Sequence, residues 1–471
     1  MMTARSEILV RGANWIGDAV MTLPALAALH DHFPQARLTV MTKPWAAGVY
    51  EGQAGVARIL TYEPNGRHRG LTGALALIRE LAHFDLAMLF QNAFSAALFP
   101  ALARVPERWG YARDGRRLLL TRAARIEPLD LKVHEVFYYL NLLEKLGLPA
   151  PYRPPSLSID EAARAEAEAL LNPAGLGQGK FVLALAPGAA FGPAKRWPEA
   201  DFAQAARLIL KERPGGGTVI LGGTEETPAA DRLTEMLPEP KLNLAGRTPL
   251  KTAMAVLSRA NLLLTNDSGL MHLGGALGLP LAAVFGPTNP VSTAPLGPSR
   301  LIRSRAPCAP CLKRICPLPR QICFDEVSPD LVAEAALELL AEKPAGGRTA
   351  VFLDSEVLGL EPAPPEIKAT LALARRGYLL VLGGPAEISA RGHAGLIQAG
   401  LPSAGITLLP PPGLNLARSL WIGGRPETLA PADLAGARSV LIPGGRDIQA
   451  GFQTPTLAAP NLTRAVEWIL T

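Results

Sequence analysis

The sequence predicts an α/β protein: two Rossmann-like units facing a cleft, with a third α/β unit appended. Three observations predict it. Short apolar runs alternate with amphipathic segments, the pattern of parallel strands covered by helices. The pattern starts again after the proline-rich stretch Pro149–Pro155. It starts a third time after Glu342–Arg348, where Lys343, Pro344, Gly346 and Gly347 form a linker. At 471 residues, roughly 150 residues per domain also gives about three domains. The expected boundaries are 1–165, 166–342 and 349–471.

In the first unit Ile8–Val10 reads as a strand and Arg11–Gly17 as a turn. A helix follows from about Asp18 to His32, with Val20, Leu23, Leu26 and Ala27 apolar. Further strands fall at Leu38–Met41, Arg58–Tyr62 and Leu86–Phe90. A long helix carrying Phe137, Tyr138, Tyr139 and Leu143 ends near Gly147. The second unit has strands at Phe181–Ala186, Val219–Leu221, Leu262–Thr265 and Leu281–Phe285, with helices between them. The third opens on the strand Thr349–Leu353.

Composition narrows the class. With 48% apolar and 19% charged residues, the chain is that of an ordinary globular protein with a buried core. The opening MMTARSEILVRGANWIGDAV holds no signal-peptide core. The longest uncharged stretch, Leu273–Ser299, is interrupted by Gly278, Pro280, Gly286, Pro287 and Pro290. A bilayer-spanning helix needs about 20 predominantly apolar residues, so a soluble, cytoplasmic protein is expected. The net charge of +6 is unevenly spread. Arg104, Arg108, Arg113, Arg116, Arg117, Arg122 and Arg125 are opposed only by Glu107 and Asp114. Such a patch suits nucleic acid, a phosphorylated glycolipid or a membrane surface, unless it is simply a solvated basic face.

Four segments carry chemistry. The run Thr265-Asn266-Asp267-Ser268-Gly269-Leu270-Met271-His272 follows a strand and opens a helix, with Ser268 at its N-cap. Free N–H groups at a helix start form an anion site, and ligands of open α/β sheets bind at that edge. His272 lies one turn beyond Ser268 on the same face; a capped helix with a satisfied histidine is the plain alternative. Pro187–Pro198 is a glycine-bearing loop that brings Lys195 and Arg196 to the same edge, a pair suited to a diphosphate or to a basic surface. Leu221-Gly222-Gly223-Thr224-Glu225-Glu226 places acids at a helix start, where they complement the dipole or hold a ribose diol. Arg11–Asp18 lacks the GxGxxG spacing, so no dinucleotide fingerprint is predicted. Asp18 sits near a helix N-terminus facing the cleft, where capping is its ordinary role.

Together these segments resemble the lipopolysaccharide heptosyltransferases of glycosyltransferase family 9, in their heptosyltransferase II branch. The resemblance rests on GANWIGDAVM, GPAKRWP, the glycine–acid turn, TNDSGLMHLGGALGLP and VFGPTNP, and spans about residues 6 to 342. It implies a GT-B fold, with the acceptor on the first unit and the nucleotide-sugar on the second. The helix near Pro329–Ala341 would cross back toward the first unit. By position, Asp18 resembles the general base, beside Asn14 and Trp15 on the acceptor. Lys195 resembles the diphosphate ligand, aided by the N–H groups around Ser268, Gly269 and Leu270. Glu225 resembles the ribose ligand, with Glu226 as its fallback. Asp267 and His272 resemble parts of the donor pocket, and Arg113 and Arg116 fall to a phosphorylated acceptor. The implied reaction is inverting transfer of L-glycero-D-manno-heptose from ADP-heptose to heptosyl-Kdo2-lipid A, with no cofactor required. The implied location is cytoplasmic, peripheral to the inner leaflet of the inner membrane, without nucleic acid. A sibling enzyme adding the first heptose to Kdo is the nearest alternative, and a non-catalytic nucleotide-sugar scaffold the next.

All four cysteines, Cys308, Cys311, Cys316 and Cys323, fall in one loop. In a cytoplasmic chain this points to free thiols or to a structural zinc. In the third unit, Thr349–Glu356 and Leu441–Gly451 resemble motifs of haloacid-dehalogenase-type phosphatases. The family's second aspartate is Glu356 here, its magnesium-binding aspartate is replaced by Gly445, and Leu382–Pro385 offers no Thr or Ser. Asp354 remains, but without those partners phosphoryl transfer would lose most of its charge stabilisation. A pseudo-phosphatase is expected.

Overall fold

The computed structural model describes residues 6–341 except Lys132, and beyond them 350–354, 379–383, 406–407, 420–423, 438–441, 457–458 and 464–465. The first unit contains β1 (Glu7–Arg11), α1 (Ile16–His32), β2 (Arg37–Thr42), α2 (Ala47–Tyr50), β3 (Val56–Thr61) and α3 (Gly70–Leu81). It continues with β4 (Leu86–Leu89), α4 (Phe94–Leu102), β5 (Glu107–Tyr111), β6 (Arg122–Ala124) and α5 (Glu135–Lys145). Its six strands are parallel, in the order β3-β2-β1-β4-β5-β6.

Alternation along these strands decides the layers. Ile8, Val10 and Met88 face α1 and α5, whereas Leu9, Ala87 and Leu89 face α3 and α4. The aromatic stripe of α5 is buried as expected. Asp85 caps the start of the sheet, accepting from the backbone N–H groups of Ser6 and Glu7.

The second unit repeats the plan. Helix α6 (Glu161–Leu171) precedes β7 (Val182–Ala186), α7 (Glu199–Lys211), β8 (Gly217–Ile220), α8 (Thr227–Met236), β9 (Lys241–Asn243) and α9 (Leu250–Arg259). Then come β10 (Leu262–Asn266), α10 (Gly269–Ala276), β11 (Leu281–Phe285), α11 (Pro290–Thr293), β12 (Ser299–Arg303) and α12 (Pro329–Ala341). The order β12-β11-β10-β7-β8-β9 is again parallel throughout. Read from its first strand outward, it is the order of the first sheet.

One hydrophobic core runs through both units, because α1 packs against α10 and the inner face of each sheet feeds the same cluster. His134 Nε2 and the Ala294 carbonyl, 2.9 Å apart, add a polar link between the units. The α12 expectation is corrected: its Val332, Ala333 and Ala336 are buried on the second unit's outer face, against α7, β11 and β12. Those small and branched side chains match the groove beside Phe202 and Ala206, so the helix stays on its own sheet.

The third unit's strands are β13 (Ala350–Asp354), β14 (Leu379–Gly383), β15 (Ile406–Thr407), β16 (Leu420–Gly423), β17 (Arg438–Leu441) and β18 (Leu457–Ala458). They form a parallel sheet in the order β15-β14-β13-β16-β17-β18. Asp354 ends the central strand β13; Glu356 and Gly445 lie outside the described residues.

Candidate active site

In the second sheet β7 and β10 are neighbours whose onward connections leave in opposite directions, so a crevice opens beyond their carboxyl ends. The loop after β7 carries Lys195 at the end of the short 3₁₀ turn Pro193–Lys195. Its ammonium meets Asp267 Oδ2 at 2.5 Å, with both side chains largely buried. Thr288 Oγ1 donates to the same oxygen at 2.6 Å, and Lys195 Nζ also lies 4.8 Å from the centre of the Phe191 ring. Asn266 ties the loop to the strand ends: its Nδ2 donates to the Pro187 carbonyl, and its Oδ1 accepts from Trp197 N–H. Trp197 is buried and donates from Nε1 to Val327. Lys195 is therefore a braced charge, oriented by Asp267.

Ser268 is the N-cap of α10, with extended backbone but no side-chain cap bond. Its hydroxyl lies 3.3 Å from that of Thr265. The first N–H groups of α10, at Gly269 and Leu270, thus take no side-chain cap from Ser268, and the helix dipole favours an anion there. His272 is buried, and burial pushes its pKa down to about 4, so it stays neutral at physiological pH. Glu225 is exposed at its turn. Glu226 instead folds back, accepting from Gly223 N–H at 2.8 Å and filling the space beside Gly188 and Gly222. Burial raises its pKa, opposed by that hydrogen bond and by Arg196.

Across the cleft, Asp18 lies in the first turn of α1. Burial pushes its pKa up to about 6; Lys195 pulls it down and Asp267 pushes it up, so charges of the opposite unit act on it directly. The two helices approach so closely that a Cβ at Gly17 would lie 2.6 Å from Cδ2 of His272. Asn14 is held by Arg11, whose Nη2 donates to Asn14 Oδ1 at 2.7 Å, and by Trp45, whose Nε1 donates to its carbonyl. Trp15 and Trp45 are both exposed at this lip. Arg113 is exposed beside Asp114 at 3.6 Å.

Arg116 requires a correction as an acceptor contact. Its side chain is fully buried, donating to the carbonyls of Tyr111 and Gln91 and to Asn92 Oδ1. The left-handed Gly115, at φ 74°, turns the chain so that this arginine points inward. Arg108 is likewise spent on the Leu119 and Val105 carbonyls. The expected basic patch is therefore partly internal. Sequence reasoning also missed Gln91, Asn92 and Tyr138. Asn92 joins Arg116 to the Tyr138 hydroxyl just beyond β4, the neighbour of β1 at the first unit's own crevice. Glu135, missed as well, is raised to about 7 by burial and by Asp18, with Arg113 opposing.

Of the two readings of the cysteine loop, the structural zinc finds no support. Cys308 is exposed and Cys323 buried, and no group of three or more metal-ligating side chains is gathered among the described residues. The loop has a different job in the fold. The Arg314 carbonyl accepts from Ala194 N–H and Gln321 Nε2 donates to the Ala194 carbonyl, so it underpins the turn that bears Lys195.

Residues 74–321 match the family glycosyltransferase family 9 (heptosyltransferase). Lipopolysaccharide heptosyltransferase 2 of Salmonella typhimurium is 32% identical over 317 residues, covering 63% of this chain and 88% of the relative. The protein of that name from Escherichia coli K12 is 31% identical over 316 residues, with the same coverage. Lipopolysaccharide heptosyltransferase 1 of Pseudomonas aeruginosa matches at 26% over 358 residues, covering 69% of this chain and 96% of the relative. Among solved structures, E. coli ADP-heptose LPS heptosyltransferase II superposes with a TM-score of 0.59 at 28% identity, covering 72% of this chain and 100% of the other. The two facing parallel sheets are those of the GT-B fold.

Proposed function

Since the chain belongs to glycosyltransferase family 9, the heptosyltransferases, we propose that it transfers L-glycero-D-manno-heptose from ADP-heptose onto the inner-core heptose of lipopolysaccharide, with inversion. The observation that carries this reading is the pairing of Asp18 on one lip with Lys195 on the other, close enough to shift the carboxyl's pKa. Asp18 takes the proton from the acceptor hydroxyl as its oxygen attacks the anomeric carbon. The bond from that carbon to the diphosphate breaks, and its electron pair leaves with ADP. Lys195 and the N–H groups of Gly269 and Leu270 receive the departing charge. Attack from the Asp18 side, opposite the leaving group, inverts the anomeric centre. Glu225 is assigned to the ribose, and Asn14, Trp15 and Arg113 to the acceptor sugars. The reading places the enzyme at the inner leaflet, where a lipid-linked acceptor is presented.

The preference for the second heptose over the first rests on the higher identity to relatives named heptosyltransferase 2. Mass-spectrometric transfer with ADP-heptose tests both points. One heptose should be added to heptosyl-Kdo2-lipid A and none to Kdo2-lipid A. Addition to the unheptosylated acceptor alone would assign the first-heptose reaction, and addition to neither would sink the reading. The third unit is assigned as a degenerate phosphatase-like domain, supported by Asp354 at the end of its central parallel strand. Robust magnesium-dependent hydrolysis of a heptose bisphosphate would overturn that assignment.

A further inference from the structure

We propose that the outer surface formed by α3, α4 and the turn Arg116–Leu119 is a docking face for an anionic lipid bilayer. The three elements adjoin, α4 packing on α3 on one side and on the turn on the other. The two helices are each apolar on two sides. Helix α3 buries Gly73, Leu77 and Leu81 against the sheet at four-residue spacing, while Leu71 and Leu75 form a second file pointing outward. Helix α4 buries Ala96, Ala97 and Pro100 and exposes Phe94 and Leu102, two turns apart on one face. The turn buries Arg116 and presents Leu118, which is 94% exposed; Leu71 is 85% exposed. A surface helix of a water-soluble protein carries one apolar stripe toward its core. Five large apolar side chains on the outer side of three adjoining elements form a patch that calls for a partner.

The charge around it selects that partner. Arg69 precedes α3, Arg104 follows α4 and Arg117 lies within the turn. All three are exposed and have no ion-pair partner among the described residues. The neighbouring acids are occupied, Glu80 by Arg67 and Asp114 by Arg113. A rim of one sign repels a second copy of the same face. It is neutralised by anionic headgroups, while the leucines and Phe94 enter the acyl boundary. The location is also suitable: α4 leaves β4 just after Asn92, at the acceptor side of the cleft. A lipid-linked sugar would reach Asp18 without leaving its membrane, a consequence that rests on the proposed reaction.

The test is co-sedimentation of the full chain with vesicles of phosphatidylcholine, alone or with phosphatidylglycerol. Binding should appear on the anionic vesicles and fall with salt. Each arginine near such a surface is worth roughly five-fold in partitioning, so Arg104→Glu with Arg117→Glu should lower binding at least tenfold, on the order of that estimate squared. Leu71→Glu with Leu118→Glu should abolish it, while transfer to a lipid-free heptosyl-Kdo oligosaccharide stays at the wild-type rate. If the Leu71→Glu/Leu118→Glu protein binds as well as wild type, or wild type ignores anionic vesicles, the docking face is wrong. A dimer that the leucine variant dissociates, without vesicle binding, would assign the face to a second copy and equally overturn it. Vesicle binding without any heptosyl transfer would leave the docking face standing and remove the reaction instead.

Discussion

The two halves of the cleft share one frame and differ in what they hang on it. Both sheets are six-stranded, parallel and ordered alike, and both open a crevice where connections diverge at the centre. The second half fills its crevice with a cation, Lys195, held by Asp267 and Phe191 on a loop stapled by Asn266 and underpinned by the cysteine-bearing segment. The first half presents a carboxylate, Asp18, beside the exposed indoles of Trp15 and Trp45. A braced charge suits a diphosphate of fixed geometry, whereas exposed aromatic rings suit sugars that must arrive and leave. The shared fold does not separate the two halves; the group placed after each central strand does.

Removing the Asp18 carboxylate is the strongest way to break the comparison. Asp18→Asn should lower kcat on the order of a thousandfold, within the usual range for a general base, and leave ADP affinity nearly unchanged. If Asp18 is the base as proposed, the wild-type rising limb of kcat/KM should inflect near pH 6, because the carboxyl must be ionised and its pKa is raised to about 6. Activity therefore falls as pH drops below that point. If the residual activity of Asp18→Asn keeps the same limb, the base is another group, with Glu135 the first to examine.

In the second half, Lys195→Ala should cost about a hundredfold or more in kcat, the scale of losing one preorganised stabiliser of developing charge. It should also raise the KM for ADP-heptose. Asp267→Asn keeps the ammonium but loosens its orientation, so a loss nearer tenfold is expected, on the order of one hydrogen bond. Steady-state kinetics with varied donor checks both. An Asp267→Asn loss as large as that of Lys195→Ala would make the carboxylate more than a brace.

How much of this was readable in the sequence follows the same division. The places of Asp18, Lys195 and Ser268 at strand ends were legible because each follows a clean apolar strand in a segment where spacing carries meaning. Strands β5, β6, β9 and β12 were not. Glu107–Tyr111 reads as part of a basic run, and β6 and β9 are three residues each, too short for any period to show. The run of arginines looked like one surface because charge patterning cannot tell that Arg108 and Arg116 turn inward onto backbone carbonyls. Asn266 was hidden for a different reason: its partners, Trp197 and Pro187, lie 69 and 79 positions away. Only the sheet brings them together. The α12 expectation failed because resemblance does not specify which surface a helix covers.

The contact between the halves can be tested at Gly17. A Cβ there would sit 2.6 Å from the His272 ring, which is buried and has little room to retreat. Gly17→Ala should therefore push α1 from α10 and lower kcat/KM by about tenfold, a cost near 1.4 kcal/mol. Rescue by His272→Ala would tie the loss to this contact; no rescue would place the strain elsewhere in α1.

The smallest expected effect is a near-cancellation in stability against pH. His134 and His272 are buried, with pKa values pushed down to about 3 and about 4, so the unfolded chain binds more protons than the native one below its ordinary value of 6.5. Native stability from these groups is complete above that value and is lost as pH falls through it. At pH 5 the loss is about 2 kcal/mol per histidine, from roughly 1.4 kcal/mol per unit. Asp18 and Glu135 act in the opposite sense. Their native pKa values are raised to about 6 and about 7, so protonation on acidification relieves a cost of burying charge. Chemical unfolding at pH 7 and pH 5 should therefore show only a small change in wild type. In Asp18→Asn with Glu135→Gln the relief is gone, and the histidine loss should stand alone as a marked fall in stability at pH 5. A variant as insensitive to pH as the wild type would mean that the buried histidines open to solvent before they are charged, and that the seam between the two halves is looser than its packing implies.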